Sequence, residues 1–301
     1  MGTNPLDPGF GPHVPWAVLA QACTQVGLDP AGAGLVRLVN NAVFRLVRHQ
    51  VVVRVTLVEG LAHRAHTAVA VGRMLAAHGI PAVRPLLGIP NPVQVGRHAV
   101  SFWKEVVDTG WAPTAVELGD LLTRLHQLPI ADLRLPSWNP IADLRSRITD
   151  MHGWNQDDVD FLSRRCDAVE SALAALDYPL SSSVIHGDAH LGNMIITPVG
   201  PVLCDLDTAC IGPREWDLVP LAVSQLRFGH AVDVHRQLAD AYGVDIATWP
   251  GYPVLRELRE LKLAAVGLPN AHVNPVVGFE LRLRLRSLRA AHTTARWTPY
   301  Q

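Results

Sequence analysis

The chain has 301 residues, 49% hydrophobic and only 18% charged, which excludes an intrinsically disordered protein and supplies enough apolar residues for a sizeable core. A formal charge of −1 provides no global field for nucleic acid or an anionic membrane surface, so no nucleic-acid or membrane partner is expected and any charged ligand must be recognised locally. No secretory leader, myristoylation signal or long uncharged apolar run is present, and the four cysteines (Cys23, Cys166, Cys204, Cys210) form no CxxC pair, so the expectation is a cytoplasmic protein with reduced, buried thiols.

Residues 1–12 are rich in Pro and Gly, and Trp16, Leu19, Ala20 and Cys23 share one face of a helix predicted over 15–26. Three strand-like runs follow at 35–39, 42–48 and 51–57, separated by the short turns Asn40-Asn41 and His49-Gln50. A helix is predicted from Ala62 to His78, stopped by Gly79 and Pro81, with strands near 83–87 and 93–103 beyond it. From there the pattern is helical: 114–127, 140–151, 157–176, 213–228, 232–242, 252–266 and 279–295. In the last of these ELRLRLRSLR (280–289) alternates like a strand, but its length and setting favour a helix.

Between the third and fourth of these helices lies the most informative stretch. Residues 184–194 read VIHGDAHLGNM and 203–207 read LCDLD. An aspartate (Asp188), an amide (Asn193), a short apolar run, a turn and a second aspartate (Asp205) at the end of the next apolar run suit a loop followed by a two-stranded hairpin. Phosphoryl transfer needs such a set: one carboxylate to orient and deprotonate a hydroxyl, and an amide oxygen plus a second carboxylate to hold Mg²⁺ against a triphosphate.

His186-Gly187-Asp188-Ala189-His190-Leu191-Gly192-Asn193, then Asp205, then GPREWDL (212–218) resembles the aminoglycoside phosphotransferase family, whose fold is similar to that of eukaryotic protein kinases. The resemblance implies an α+β, protein-kinase-like two-lobed fold, with a β-rich N-lobe over 1–107 and a mostly helical C-lobe over 108–301. It implies Mg²⁺ as cofactor and ATP or GTP as donor to a small-molecule hydroxyl acceptor. By the same resemblance Asp188 is the catalytic carboxylate and Asn193 and Asp205 are the metal ligands. His186 props the loop, with His190 beside it, and Asp217 braces it from below. Asp207 is left between a second metal, the acceptor and a turn cap. Arg54 occupies the third-strand position where such folds place a phosphate-contacting lysine. Asn40 and Asn41 replace a glycine-rich turn and offer amides to the triphosphate. The hinge over 101–107, with Trp103, Glu105 and Val107, is the expected adenine-reading segment.

One departure from the family pattern matters. The helical glutamate that usually pairs with the lysine is replaced by Ala68, and the helix carries no acid at all. An alternative is therefore a catalytically degraded nucleotide-binding regulatory module. A divalent-metal hydrolase built on H-x-D-x-H leaves Asn193 without a role. A protein kinase is disfavoured because only residues 206–211 lie between Asp205 and the Gly212-Pro213 turn. For a polycationic acceptor the candidate acids are Asp207, Glu215, Asp157, Asp158 and Asp160. The arginines of the C-terminal segment (Arg282, Arg284, Arg286, Arg289) tilt the expectation toward a neutral or anionic metabolite.

Overall fold

Valines on alternate positions of a strand share one face, and this sets the architecture of the first hundred residues. The computed structural model describes residues 14–38, 41–57, 61–131, 133–149, 151, 154–229, 233–268, 271 and 274–300. Strands β1 (Gly34–Leu38), β2 (Asn41–Leu46), β3 (Val51–Thr56), β4 (Val93–Val95) and β5 (His98–Lys104) form an antiparallel sheet in the order β1-β2-β3-β5-β4. Val51, Val53 and Val55 point to one side, where with Phe44 and Phe102 they bury Val18, Leu19 and Cys23 of helix α1 (Val14–Val26). Val52 and Arg54 point to the other side. There Val52 and Trp103 join the core that includes Ala68, Val71 and Leu75 of α2 (Ala62–Ala77).

Two expectations in this region are corrected. The strand expected near 83–87 makes only isolated bridges, Ala82 to Leu203 and Pro85 to Trp103, because prolines at 81 and 85 remove the donors a ladder needs. The run expected at 93–103 is two strands folded back around Gly96, whose φ of 56° suits glycine.

The remaining helices are α3 (Ala115–His126), α4 (Pro140–Thr149), α5 (Gln156–Ala174), α6 (Glu215–Arg227), α7 (Val234–Tyr242), α8 (Tyr252–Ala265) and α9 (Pro275–Arg289). Helix α3 starts on a reciprocal cap in which Thr114 accepts from the Glu117 amide and Glu117 accepts from the Thr114 amide. The alternating ELRLRLRSLR segment is helical, opened by the Asn274 side chain and ending at Arg289, short of the expected 295. Its arginines are not one solvated face, since Arg284 is buried against Glu280 and the rings of Trp297 and Tyr300.

Two small antiparallel pairs interrupt the helices: β6 (Ser183–Ile185) with β9 (Cys210–Gly212), and the hairpin β7 (Met194–Thr197) with β8 (Gly200–Leu203). All four cysteines are free thiols, three buried and Cys204 half-buried. Among the described residues no helix is long and apolar enough to cross a membrane. Mixed α+β structure, with a sheet first and helices after, agrees with the expected fold class.

Candidate active site

The loop between β6 and β7 is held from beneath by Asp217, in the first turn of α6. Its carboxylate, fully buried, accepts from the His186 amide at 2.6 Å, the Gly187 amide at 2.8 Å and His126 Nε2 at 3.1 Å. Trp216 Nε1 donates to the Gly187 carbonyl at 2.8 Å, and Thr208 Oγ1 to the His186 carbonyl at 3.1 Å. Gly187 has φ of 82°, and a Cβ there would lie 2.3 Å from the Thr208 carbonyl oxygen, so the loop crosses the 206–208 turn at a distance only glycine permits.

His186 links this loop to the hairpin. Its Nε2 meets the Cys204 carbonyl at 2.9 Å and its Nδ1 accepts from the Asp188 amide at 3.4 Å, one tautomer serving both. His190 instead turns Nδ1 to the Gly192 amide at 3.0 Å. The two histidines thus organise separate backbone turns and do not converge as ligands, which removes the basis of the metal-hydrolase alternative.

Asn193 is nearly buried. Its Nδ2 donates to the Asp188 carbonyl at 2.9 Å, turning the carboxamide oxygen the other way, and its own carbonyl accepts from the Cys204 amide at 2.9 Å. The hairpin register, Met194 opposite Leu203, sets Asn193 beside Cys204 and Asp205. Asp205 adopts a left-handed conformation, φ 59° and ψ 56°, unusual for a residue other than glycine. Its Oδ1 lies 2.7 Å from Arg54 Nη1 as an ion pair, yet has no aligned hydrogen-bond donor. A buried carboxylate oxygen without a hydrogen bond, on the same hairpin whose register brings Asn193 alongside, is a donor that suits a hard divalent cation.

Arg54 also donates to Asp207 Oδ2 at 2.9 Å, and with the Asn41 carboxamide oxygen turned toward it, reaches Asn41 at 2.7 and 3.1 Å. Burial works against the guanidinium charge, but Asp205 and Asp207 raise its pKa all the same. Burial and then Asp205 also raise the pKa of Asp207, against the opposing pull of Arg54. Where the family has a helical glutamate, Ala68 is buried and α2 packs on the 206–208 turn, so Arg54 takes the two carboxylates as partners.

Asp188 keeps 35% of its side chain accessible, within otherwise dense surroundings. Burial acts to raise its pKa, but Arg259 Nη1 at 2.6 Å, helped by His190 Nε2 at 3.7 Å, holds it well below the usual carboxylate range. Arg259, on α8, has no signature in the sequence: it sits within an ordinary amphipathic ELREL pattern. Lys262 follows one turn later; burial lowers its pKa despite the proximity of Asp143 and Asp188. Neither residue was among the sequence candidates.

Other expected residues lie elsewhere. Asn40 is outside the described residues. The Trp103 ring is buried in the core beside Pro85, with its Nε1 donating to Ser101 Oγ at 2.9 Å. Glu105 spends its amide on the Gln50 carbonyl at 2.8 Å and its carboxylate on Arg45 at 2.5 Å, whereas Val107 is exposed. Of the candidate acids, Glu215 is fully buried and accepts from the Leu180 amide at 2.7 Å, and Asp158 pairs with Arg289 at 2.5 Å. Asp157 and Asp160 lie near the start of α5, where the helix dipole favours acids.

A family model described as Phosphotransferase enzyme family (APH) matches residues 37–258, well over half of the chain. The chain belongs to this family and is, as such, a small-molecule kinase. No curated protein sequence matches it. Among solved structures, the amicoumacin kinase hAmiN in complex with AMP-PNP, Ca²⁺ and Ami is 13% identical with a TM-score of 0.68, covering 94% of this chain and 95% of its own. The microcompartment-associated aminopropanol kinase is 19% identical with a TM-score of 0.64 over 92% and 99%. The GDP and kanamycin complex of APH(2")-IIia is 14% identical with a TM-score of 0.63 over 91% and 99%. At these identities the likeness is one of fold, and it is the protein-kinase-like fold that the motifs implied.

Proposed function

We propose that the chain transfers the terminal phosphoryl group of ATP or GTP to a hydroxyl of a small molecule, an antibiotic, a sugar or an amino alcohol, with Mg²⁺ as the divalent ion. The observation that carries this reading is the loop pinned by Asp217, from which Asp188 and Asn193 project beside Asp205. The hydroxyl oxygen forms a bond to the γ-phosphorus, its proton passes to Asp188, and the bond from phosphorus to the β–γ bridging oxygen breaks to release the diphosphate. A depressed pKa keeps Asp188 ionised, which suits a carboxylate that aligns the hydroxyl more than one that removes its proton early. Asn193 and Asp205 hold Mg²⁺, which when bound neutralises charge on the phosphate oxygens. Arg54 exchanges carboxylate for phosphate oxygens as nucleotide arrives, between a sheet-bearing N-lobe ending near 107 and a helical C-lobe from 108. Relatives in fold bind AMP-PNP or GDP, one with Ca²⁺, and take an antibiotic or an amino alcohol. A cytoplasmic setting accords with four free thiols.

The regulatory-module alternative draws on one observation, the pairing of Arg54 with the very carboxylates that would meet the metal. Diphosphate release with Mg²⁺ and each nucleotide, over aminoglycosides, other antibiotics, sugars and amino alcohols, separates the two. Acceptor-dependent release lost in Asp188→Asn supports the kinase. A thermal shift with Mg²⁺ and nucleotide but no release with any acceptor supports the module, and release unchanged in Asp188→Asn removes the proposed role of that carboxylate.

A further inference from the structure

We propose that the acceptor is a small molecule with an apolar body and an anionic group read by Arg259, and that polycationic aminoglycosides are not substrates. This rests on the phosphotransferase reading and names the acceptor class of that same site. Beside the catalytic loop lies a cavity of about 250 Å³, under the roughly 300–1,000 Å³ of pockets for drug-sized ligands. Leu191, Pro220, Leu221, Phe228, Val234 and Leu263 supply its apolar wall, and His190 and Arg259 its ionisable one; no carboxylate is among the described residues that line it.

Arg259 is the second, independent observation. It is 8% exposed, and while Nη1 is engaged by Asp188, Nε is buried with no hydrogen-bond partner. A buried guanidinium N–H left unpaired is costly, and because Arg259 forms part of the cavity wall, a small shift of its side chain would let a ligand oxygen there accept from it and relieve that cost. The guanidinium then bridges the acceptor's anionic group and the Asp188 carboxylate, which sets the acceptor hydroxyl at a fixed offset from the group that aligns it. A polycation meets the reverse situation. Asp188 is already taken by Arg259, Lys262 and Arg64 add positive charge nearby, and Asp143 is paired with Arg64 at 2.6 Å and Arg147 at 3.4 Å. The acids once considered for an aminoglycoside do not line this cavity.

The test is a charge series on one apolar body: 3-phenyllactate (anionic), 3-phenyl-1,2-propanediol (neutral) and phenylalaninol (cationic), with kanamycin as polycation. Diphosphate release and calorimetric binding are measured with Mg²⁺ and nucleotide for the wild type and Arg259→Gln, alongside acceptor-independent nucleotide hydrolysis. In the wild type, kcat/KM for the anion is expected to exceed that for the cation by about tenfold or more, with no turnover of kanamycin. Arg259→Gln also alters the surroundings of Asp188, so the informative quantity is the anion-to-neutral ratio within each protein. That ratio is expected to fall by about ten- to a hundredfold, the scale of a lost charge-assisted hydrogen bond. An equal loss for all acceptors, a preference for the cation, or turnover of kanamycin overturns the proposal. So does failure of the whole series to bind or react while hydrolysis persists; if hydrolysis and nucleotide binding are also absent, it is the phosphotransferase reading that falls.

Discussion

Replacing Asp217 by alanine removes the acceptor of two backbone amides and one imidazole in a place that water does not reach. The His186 and Gly187 amides, at 2.6 and 2.8 Å from the carboxylate, are left without partners beneath the fully buried Trp216. An orphaned buried donor costs about 1–3 kcal/mol, so the pair amounts to about 2–6 kcal/mol before His126 is considered, a large part of the ~5–15 kcal/mol that holds an ordinary domain together. At about 2–4 °C per kcal/mol for a chain of this order of size, the melting temperature should fall by roughly 5–20 °C. Asp217→Asn should be nearly as damaging, since its amide nitrogen would face one of the two donors it has to accept from. Thermal unfolding followed by circular dichroism measures the loss. Acceptor-dependent kcat measured well below the new midpoint should also drop, because the loop carrying Asp188 is no longer pinned. A melting temperature within about 1 °C of the wild type, or full kcat in the alanine variant, would refute the claim that this carboxylate fixes the loop.

Gly187→Ala places a Cβ 2.3 Å from the Thr208 carbonyl and forces a left-handed φ on a chiral residue, about 1–2 kcal/mol for the backbone alone. Kinetics should show kcat falling more than KM changes, and unaltered kcat would contradict the close crossing. Arg284→Met strands Glu280, which is 7% exposed, and abandons the carbonyls of Leu263 and Thr298; a cost of about 3–5 kcal/mol is expected in urea denaturation. For pH, the sign follows from Asp188. Its folded pKa is depressed, so its ionised form contributes stability above the ordinary carboxylate pKa of about 3.9, which is lost as pH falls through the lower folded value. Arg259→Gln should therefore move the acid limb of the kcat/KM profile upward, and an unmoved limb would separate Arg259 from the titration of Asp188.

Local signals carried much of the fold into the sequence. The valine-rich run at 51–57, the Gly79 stop and the helical pattern from Thr114 each act within a few residues, and each element formed within a few residues of its expected place. The errors came where a short-range pattern met a longer-range constraint. Val83–Leu87 is as apolar as a strand, but Pro81 and Pro85 withhold donors and leave isolated bridges. ELRLRLRSLR, by contrast, is the helix expected of it despite its strand periodicity, and the helical spacing brings Glu280 and Arg284 onto one face, with Arg284 buried beside Trp297 and Tyr300. The catalytic loop was legible because all its members lie within one contiguous motif and hairpin. Arg259 was not, since a lone arginine in an amphipathic helix has the same local pattern whether it faces solvent or a carboxylate seventy-one positions earlier.

The absence of an acid from α2 has a physical consequence that links these observations. A helical glutamate would hold the third-strand cation in place independently of the metal ligands; with Ala68 there, α2 closes on the 206–208 turn and Arg54 has Asp205, Asp207 and Asn41 as its partners. On the metal-binding role proposed for Asp205, a divalent ion would compete with Arg54 for the same oxygens. Burial and then Asp205 raise the pKa of Asp207, and Arg54 supplies the countercharge that both carboxylates share. On the proposed role of these residues, nucleotide and metal would be coupled through a single side chain: phosphate would take over the Arg54 guanidinium as the ion takes over Asp205, each offsetting the charge the other leaves unpaired. The departure from the family pattern therefore does not by itself remove the catalytic constellation; it makes the carboxylates share their countercharge.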